Sequence, residues 1–225
     1  MGHLQEGIQR LGYQFVPFLM AVVCHEVGHG LAANWWGDST AKNAGRLTLN
    51  PLPHLDIFGT VLFPIINMLS GMNILFGWAR PVPIDPRRFR NYRKGLFYVA
   101  LAGPASNFLM AFACAFSLCA LIRFIDPGFI FYQEFATMLE IGVYINYSLG
   151  IFNLLPIPPL DGSKIIESFL SYNAMIQYER IAQYSFWILI ALLVSGVLSL
   201  LSGPVLYMAH LTLGIASLIF GVNLI

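Results

Sequence analysis

Apolar residues dominate long stretches of the chain, and polar residues collect between those stretches. Runs of about 20 residues or more with almost no charge, each long enough as a helix to cross a hydrocarbon core roughly 30 Å thick, occupy residues 13–36, 96–124, 130–155, 180–201 and 205–225. A further apolar run, 57–78, is interrupted by glycine, proline and asparagine. We interpret it as a broken or re-entrant segment, which is tolerated where protein buries it. The pattern predicts an all-α polytopic membrane protein with five or six membrane segments.

Composition agrees with a membrane protein. Hydrophobic residues make up 57% of the 225 residues and charged residues 10%, whereas a soluble domain carries roughly 25% charged residues. The mean hydropathy is +0.70. The formal net charge of +1 gives no reason to expect nucleic acid as a partner. We therefore expect an integral membrane protein whose surroundings are the lipid bilayer.

The polar connections suggest an orientation in the membrane. The connection 37–56 contains a short alternating stretch, 45–50, that predicts a strand or an extended loop. The connection 80–94 holds six basic residues and one acidic residue, and short basic loops stay on the cytoplasmic side. Segment 96–124 should therefore run outward. The N-terminus lies outside if 57–78 is re-entrant, which we favour, and inside if 57–78 spans the membrane.

The strongest chemical signal is the motif HEVGH at residues 25–29. Residues four apart share one face of a helix, so His25 and His29 can offer two imidazoles to one metal. Glu26 lies about 100° further round the helix, where it can hold a water molecule beside the metal. Ionisable side chains inside an apolar helix are costly, which favours a functional interpretation. Zinc suits this ligand set.

A catalytic zinc site needs a third protein ligand. Asp161 follows a proline-rich helix exit that can turn a carboxylate back toward the bundle. His54 and Asp56, in the polar loop before the broken segment, are rival candidates. His210 is isolated on the last helix and is more typical of a packed or hydrogen-bonded histidine.

Three motifs in order resemble the site-2 protease family of intramembrane metalloproteases. They are HEVGH at 25–29, LAGPASN at 101–107, which matches the family's Gly-Pro-x-x-Asn helix start, and NLLPIPPLDG at 153–162. The resemblance covers residues 13–165. It is to the small bacterial and archaeal members that lack a PDZ or CBS module.

The resemblance implies a site, residue by residue. His25, His29 and Asp161 would bind one Zn²⁺ per chain, Glu26 would be the catalytic acid and base, and Asn153 would position substrate or stabilise the oxyanion. It implies a three-helix catalytic core at about 13–165 and offers little for the last two spans, which lie outside the shared core. We predict one metalloprotease domain, 1–225, in which those spans form an accessory helical hairpin at about 180–225.

The implied function is hydrolysis of peptide bonds within or near the transmembrane segments of single-span membrane proteins or peptides. The implied location is a prokaryotic plasma membrane, with the active site toward the cytoplasm. Two alternatives stay open: a catalytically silent relative that binds membrane helices, and a metal-ion transporter. Glu26 discriminates between protease and transporter, because only a transport site would use it as a ligand. The sequence selects neither a natural substrate nor an oligomeric state.

Three structural predictions accompany this interpretation. Gly103 and Pro104 should start a helix, whose small residues let it approach the zinc helix closely. Asn107 should hydrogen-bond across the bundle. The extended stretch 45–50 is a candidate for receiving an unwound substrate as an added strand.

Overall fold

Helices account for the regular structure of residues 2–63 and 79–223, the parts of the chain that the computed structural model describes. The α-helices of these residues are α1 Gly2–Trp36, α2 Thr40–Asn43, α3 Tyr92–Phe124, α4 Tyr132–Asn153, α5 Asp161–Glu167, α6 Tyr172–Ala182, α7 Ser185–Val194 and α8 Ser202–Phe220. Short 3₁₀ turns lie at Leu52–His54, Pro86–Arg88 and Val197–Leu201, and a π-helical turn lies at Ile57–Leu62.

Four helical segments in the described residues are long and apolar enough to cross a membrane. They are Gly12–Trp36 within α1, Tyr92–Phe124, Tyr132–Asn153, and Val197–Phe220, which includes α8. These segments match four of the predicted apolar runs. The protein is therefore an all-helical membrane protein across its described residues.

The predicted span at 180–201 is not one helix. The chain breaks between α6 and α7 and again at Gly196, whose φ of 74° lies in the left-handed region that favours glycine. At 1.5 Å per residue, the 10 residues of α7 extend about 15 Å, half the thickness of a hydrocarbon core. The predicted hairpin at 180–225 therefore has one full-length arm, formed by Val197–Phe220.

Three helices form the centre of the bundle. The long helix α3 packs against both α1 and α4, and α1 packs against α4. Helix α8 closes the far side against α3 and α4 through small residues, including Ala111 and Ala115 on α3 and Ala209 and Ala216 on α8. Small residues let membrane helices approach closely, and dispersion contacts rather than hydrophobic burial then hold them together.

The stretch 45–50 forms no strand. Residues 46–50 are an irregular loop, and no strand occurs elsewhere in the described ranges. The stretch is therefore a loop, and the strand interpretation was wrong. The described residues offer no partner strand, and a strand is stable only where another strand satisfies its backbone groups.

Pro104 lies inside α3 rather than at its start. The helix begins at Tyr92, after the N-cap Asn91, whose Oδ1 accepts a hydrogen bond from the Lys94 N–H at 3.0 Å. Membrane helices tolerate an internal proline because neighbouring helices compensate for the lost hydrogen bond. The predicted helix start at Gly103–Pro104 was therefore wrong, since capping by Asn91 begins the helix twelve residues earlier.

The interrupted run 57–78 is described only at its beginning. Asp56 caps the π-helical turn Ile57–Leu62 by accepting hydrogen bonds from the N–H groups of Phe58 at 3.0 Å and Gly59 at 2.7 Å. Residues 64–78 lie outside the described residues, and the prediction of a broken or re-entrant segment falls on them.

Candidate metal centre

The fold brings together three of the sequence-predicted residues. Helix α1 places His25 and His29 one turn apart, and Asp161 is the first residue of α5. The Nε2 atoms of the two histidines lie 3.0 Å apart. Nε2 of His25 lies 3.1 Å from Oδ2 of Asp161, and Nε2 of His29 lies 3.2 Å from Oδ1. All three side chains are largely buried within the bundle, with exposures of 11%, 10% and 18% respectively.

Gly103 allows α3 to pass directly over the two histidines. A Cβ atom at Gly103 would overlap Nε2 of His29 and would lie 2.7 Å from Cε1 of His25. Gly28 makes the reciprocal contact, because a Cβ there would overlap the hydroxyl of Ser106 on α3. The expected close approach of α1 and α3 is therefore confirmed, and α3 closes one side of the site.

The turn after α4 returns the chain to the site. Residues 154–160 lead from α4 into α5, and Leu160 precedes Asp161 in an extended conformation with φ −67° and ψ 155°. Gly162 lies against the backbone of this turn, since a Cβ there would be only 2.5 Å from the carbonyl oxygen of Leu155. This tight packing holds Asp161 against the end of the bundle where α1 carries the histidines.

Asn107 fixes the orientation of His25. Its Nδ2 donates to the backbone carbonyl of Ala21 at 3.1 Å and to Oδ1 of Asn146 at 3.0 Å. Asn146 is oriented in turn by donating to the carbonyl of Gly142 at 2.8 Å. Oδ1 of Asn107 therefore faces Nδ1 of His25 at 2.7 Å and must accept a hydrogen bond from it. The predicted bond from Asn107 across the bundle is confirmed, and it assigns the His25 proton to Nδ1.

His29 is assigned in the same way. Its Nδ1 lies 2.7 Å from the backbone carbonyl oxygen of Val99, which can only accept, so Nδ1 carries the proton. In the neutral form of each ring, which is the form that binds a metal, both Nε2 lone pairs point toward Asp161, whose Oδ2 is buried and has no hydrogen-bond donor. In that form three electron-rich groups face one another, and a metal cation among them would turn their mutual repulsion into coordination.

Zinc fits this arrangement. Ligand atoms 2.0–2.1 Å from a tetrahedral zinc ion lie about 3.3 Å from one another, close to the 3.0–3.2 Å separations seen here. Histidine ligands of zinc characteristically donate their other ring N–H to a carbonyl or carboxylate group, as both do here. His25, His29 and Asp161 are also the group of potential metal ligands that converges within the described residues.

Glu26 lies beside this centre and is held by a backbone group. Its Oε2 accepts a hydrogen bond from the N–H of Val82 at 2.7 Å. The charge of Glu26 acts on Arg46 and His54, which are both buried near it. Burial lowers the pKa of His54, and hence its imidazole is neutral at physiological pH.

The other candidates from the sequence lie outside the ligand group. Asn153, in the last turn of α4, donates to the carbonyl of Leu149 on its own helix at 3.0 Å, and its predicted role stays a prediction. Nε2 of His54 lies 3.0 Å from the carbonyl oxygen of Thr48. Asp56 caps the π-helical turn. His210, on α8, lines a cavity between α3, α4 and α8 instead.

Some groups around the site carry little sequence signal. Asn146 is a polar residue in an apolar helix, so its isolation could have marked it as a partner in a buried network. The carbonyl of Val99 and the N–H of Val82 are backbone groups, which every residue type supplies. Only the folded chain shows that they reach His29 and Glu26.

Comparisons with known proteins agree with the chemistry of this centre. The model of peptidase family M50 matches residues 118–196, which include Asn153 and Asp161. The chain is 36% identical over 198 residues to the Bacillus subtilis protein named "Putative zinc metalloprotease YwhC", covering 86% of this chain and 85% of that protein.

Two further relatives carry similar names. "Putative zinc metalloprotease Rip2" of Mycolicibacterium smegmatis is 30% identical over 183 residues, covering 81% of this chain and 66% of its own. "Putative zinc metalloprotease MJ0611" of Methanocaldococcus jannaschii is 41% identical over 69 residues, covering 31% of this chain and 32% of its own. No solved structure gave a significant match. With a group of side chains that could hold zinc inside a helical membrane bundle, the chain belongs to peptidase family M50, the site-2 protease family of zinc metalloproteases.

Proposed function

We propose that this protein hydrolyses peptide bonds within or beside the transmembrane segments of single-span membrane proteins or peptides. The observation that carries the proposal is the convergence of His25, His29 and Asp161 inside a membrane bundle, with Glu26 beside them. A zinc site with an adjacent general base supplies the groups that metal-dependent peptide hydrolysis requires.

The chemistry divides between the zinc and the chain. When bound by His25, His29 and Asp161, zinc would polarise the scissile carbonyl group and make a water molecule more acidic. Glu26 takes the proton of the attacking water and passes it to the leaving amine. Because its Oε2 is engaged by the Val82 N–H, Oε1 is the oxygen free for this transfer. The Asn153 amide is proposed to position the substrate or to stabilise the oxyanion.

The position of the site in the bundle makes water available. The Val99 carbonyl, which contacts His29, lies seven residues after the start of α3, a distance of about 10 Å along the helix. The basic segment 80–94 leads into that end of α3 and is expected to lie in the cytoplasm. We infer an active site about 10 Å inside the cytoplasmic face of a prokaryotic plasma membrane.

The substrate must unwind to be cut. A peptide bond in a transmembrane helix is shielded by its own hydrogen-bonded turn, and hence a substrate that opens near the cytoplasmic interface should be favoured. Single-span proteins and peptides can enter the bundle from the side, whereas a packed multi-span protein cannot present an unwound segment as readily.

The test is cleavage of a co-expressed single-span substrate by the wild type and by the Glu26→Gln variant, with zinc content measured on both purified proteins. The proposal expects the wild type to cut and the variant to retain about one zinc ion without cutting. A matched control is Glu140→Gln, which alters an acid on α4 away from the site and should leave cleavage intact.

Two results would count against the proposal. If Glu26→Gln loses zinc together with function, Glu26 is a ligand, and a metal-transport site becomes the better account. If wild type retains zinc but cuts no member of a panel of single-span substrates, the protein is a non-proteolytic relative that binds membrane helices.

A further inference from the structure

A short extended segment, residues 79–85, lies against the helix that carries the metal ligands. We call it the strap; it has no regular secondary structure. At its start, Ala79 is buried in a cluster with Phe18 and Val22 of α1. Further along, the Val82 side chain packs over Gly30, since a Cβ at Gly30 would lie 3.2 Å from Cγ1 of Val82. The strap thus covers the face of α1 from which Glu26 projects.

The strap is fixed by hydrogen bonds at both ends. The N–H of Arg80 donates to the carbonyl of His54 at 2.8 Å. The N–H of Asp85 donates to Oδ2 of Asp38 at 2.6 Å, and Asp38 is fully buried. These bonds hold the segment independently of Glu26.

Arg46 fixes the strap between those ends. Its Nη2 donates to the carbonyl of Arg80 at 2.7 Å and to that of Pro81 at 3.3 Å. The Arg46 side chain is buried, and its Nε has no hydrogen-bond partner. The backbone carbonyls of the strap are therefore the hydrogen-bond acceptors that the structure gives to this guanidinium group.

One backbone donor in the middle of the strap points at the catalytic centre. Pro81 and Pro83 have no N–H, so Val82 supplies the single amide donor of this tripeptide. That donor reaches Oε2 of Glu26 at 2.7 Å, a distance typical of a charge-assisted hydrogen bond. Val82 itself is only 6% exposed, which shields the bond from competing water.

We propose that the Val82 backbone N–H is a positioning group for Glu26, held in place by the strap and by Arg46. It fixes one carboxylate oxygen and leaves the other aimed at the reacting water. This inference deepens the proposed function and rests on it, because positioning matters only if Glu26 transfers a proton. A displacement of about 1 Å at a catalytic group can cost about 100-fold in rate, so loss of this bond should be visible in turnover.

Hydrogen exchange tests the bond without requiring activity. Mass spectrometry of the strap peptide in wild type should show a protected amide that exchanges faster in Glu26→Ala, because the Val82 N–H then loses its acceptor. If the strap exchanges at the same rate in both proteins, the bond is not formed in solution and the proposal is overturned, whatever the protease assay shows.

Steady-state kinetics tests whether loss of the Val82 N–H slows turnover. Val82→Pro removes the N–H in a backbone already bounded by prolines, and Val82→Ala is the matched control that keeps it. Because Val82 precedes Pro83, its backbone is biased toward the extended conformation that proline also adopts. We expect Val82→Pro to lower kcat about 10- to 100-fold with KM and zinc content unchanged. Val82→Ala keeps the N–H and loses only side-chain packing, so its kcat should stay well above that of Val82→Pro.

A second variant keeps the test decisive if Val82→Pro does not fold. Arg46→Met releases the strap carbonyls without altering Val82, and it should lower kcat with zinc retained. The Val82→Pro/Arg46→Met double variant should be no slower than Val82→Pro alone, because both substitutions act through the same Val82–Glu26 hydrogen bond. A wild-type kcat in Val82→Pro would overturn the positioning role of the Val82 N–H. If Val82→Pro does not fold, a wild-type kcat in Arg46→Met would overturn it. If the wild type itself fails to cut while its strap amide is protected, the proposed function fails, and the positioning role fails with it.

Discussion

Gly103→Ala is the substitution whose effect follows most directly from the geometry. In most helices, replacing glycine by alanine stabilises the protein by about 0.5–1 kcal/mol, because the unfolded chain loses conformational freedom. At Gly103 the added Cβ would lie 2.5 Å from Cε1 of His29 and 2.7 Å from Cε1 of His25. These distances are roughly 1 Å shorter than an ordinary carbon–carbon contact.

That overlap must displace the two histidines, which we propose as zinc ligands, or the helix. Zinc–nitrogen bonds tolerate deviations of only about 0.2 Å, so a shift near 1 Å in either imidazole should break the ligand geometry. We expect the affinity for zinc to fall at least about 100-fold, equivalent to about 2.8 kcal/mol. Proteolytic activity should fall with it.

The assay is competition for zinc between purified protein and a chromophoric chelator. Gly214→Ala is the matched control, because it makes the same change in a membrane helix where a Cβ would have no atom within 4 Å. It should leave zinc affinity unchanged. If Gly103→Ala binds zinc as tightly as Gly214→Ala and wild type, α3 does not pass over the histidines as the structure shows.

Three further predictions concern other parts of the site and its surroundings. Asn107→Leu removes the acceptor that orients a ligand histidine, so zinc affinity should fall about 10- to 100-fold in the chelator assay; unchanged affinity would contradict the assigned tautomer. Asn153→Ala should retain zinc but lower turnover about 100- to 1,000-fold, and near-normal cleavage would remove it from the catalytic group. Burial by itself raises the pKa of Asp38, but hydrogen bonds from Thr40 and the Asp85 amide lower it below its ordinary 3.8. Asp38 therefore stabilises the fold above that pH, and the stabilisation is lost as pH falls through the lowered value. The difference in thermal unfolding temperature between wild type and Asp38→Asn should be constant above about pH 5 and shrink as the pH falls below 3.8, whereas a constant difference throughout would contradict this assignment.

The sequence was most informative where function demands unusual residues. Two histidines and a glutamate in an apolar helix have few structural explanations, and their spacing alone predicts that the imidazoles share a face. Asp161 was harder, because His54 and Asp56 were equally acceptable by residue type. The structure separates them through the return of the chain after α4, which depends on contacts distant in sequence.

The predictions that were wrong have a common cause, because each depended on contacts between distant parts of the chain. Alternation at 45–50 suggested a strand, but among the described residues no strand is available to pair with it. Pro104 was expected to start a helix, but the cap at Asn91 starts it earlier and the bundle accommodates an internal proline. At 180–201, hydropathy indicated a span, but apolarity does not determine continuity, and the chain breaks at Gly196.

The central proposal is that this member of a zinc metalloprotease family cuts its substrate at a membrane-embedded bond. The most direct measurement is cleavage of a purified single-span substrate by the purified protein in liposomes, with the masses of both products locating the cut. We predict a cut within or at the cytoplasmic edge of the transmembrane segment, abolished by Glu26→Gln and by zinc removal and restored by adding zinc back. A cut confined to the soluble part of the substrate, or one that persists in Glu26→Gln, would contradict the account.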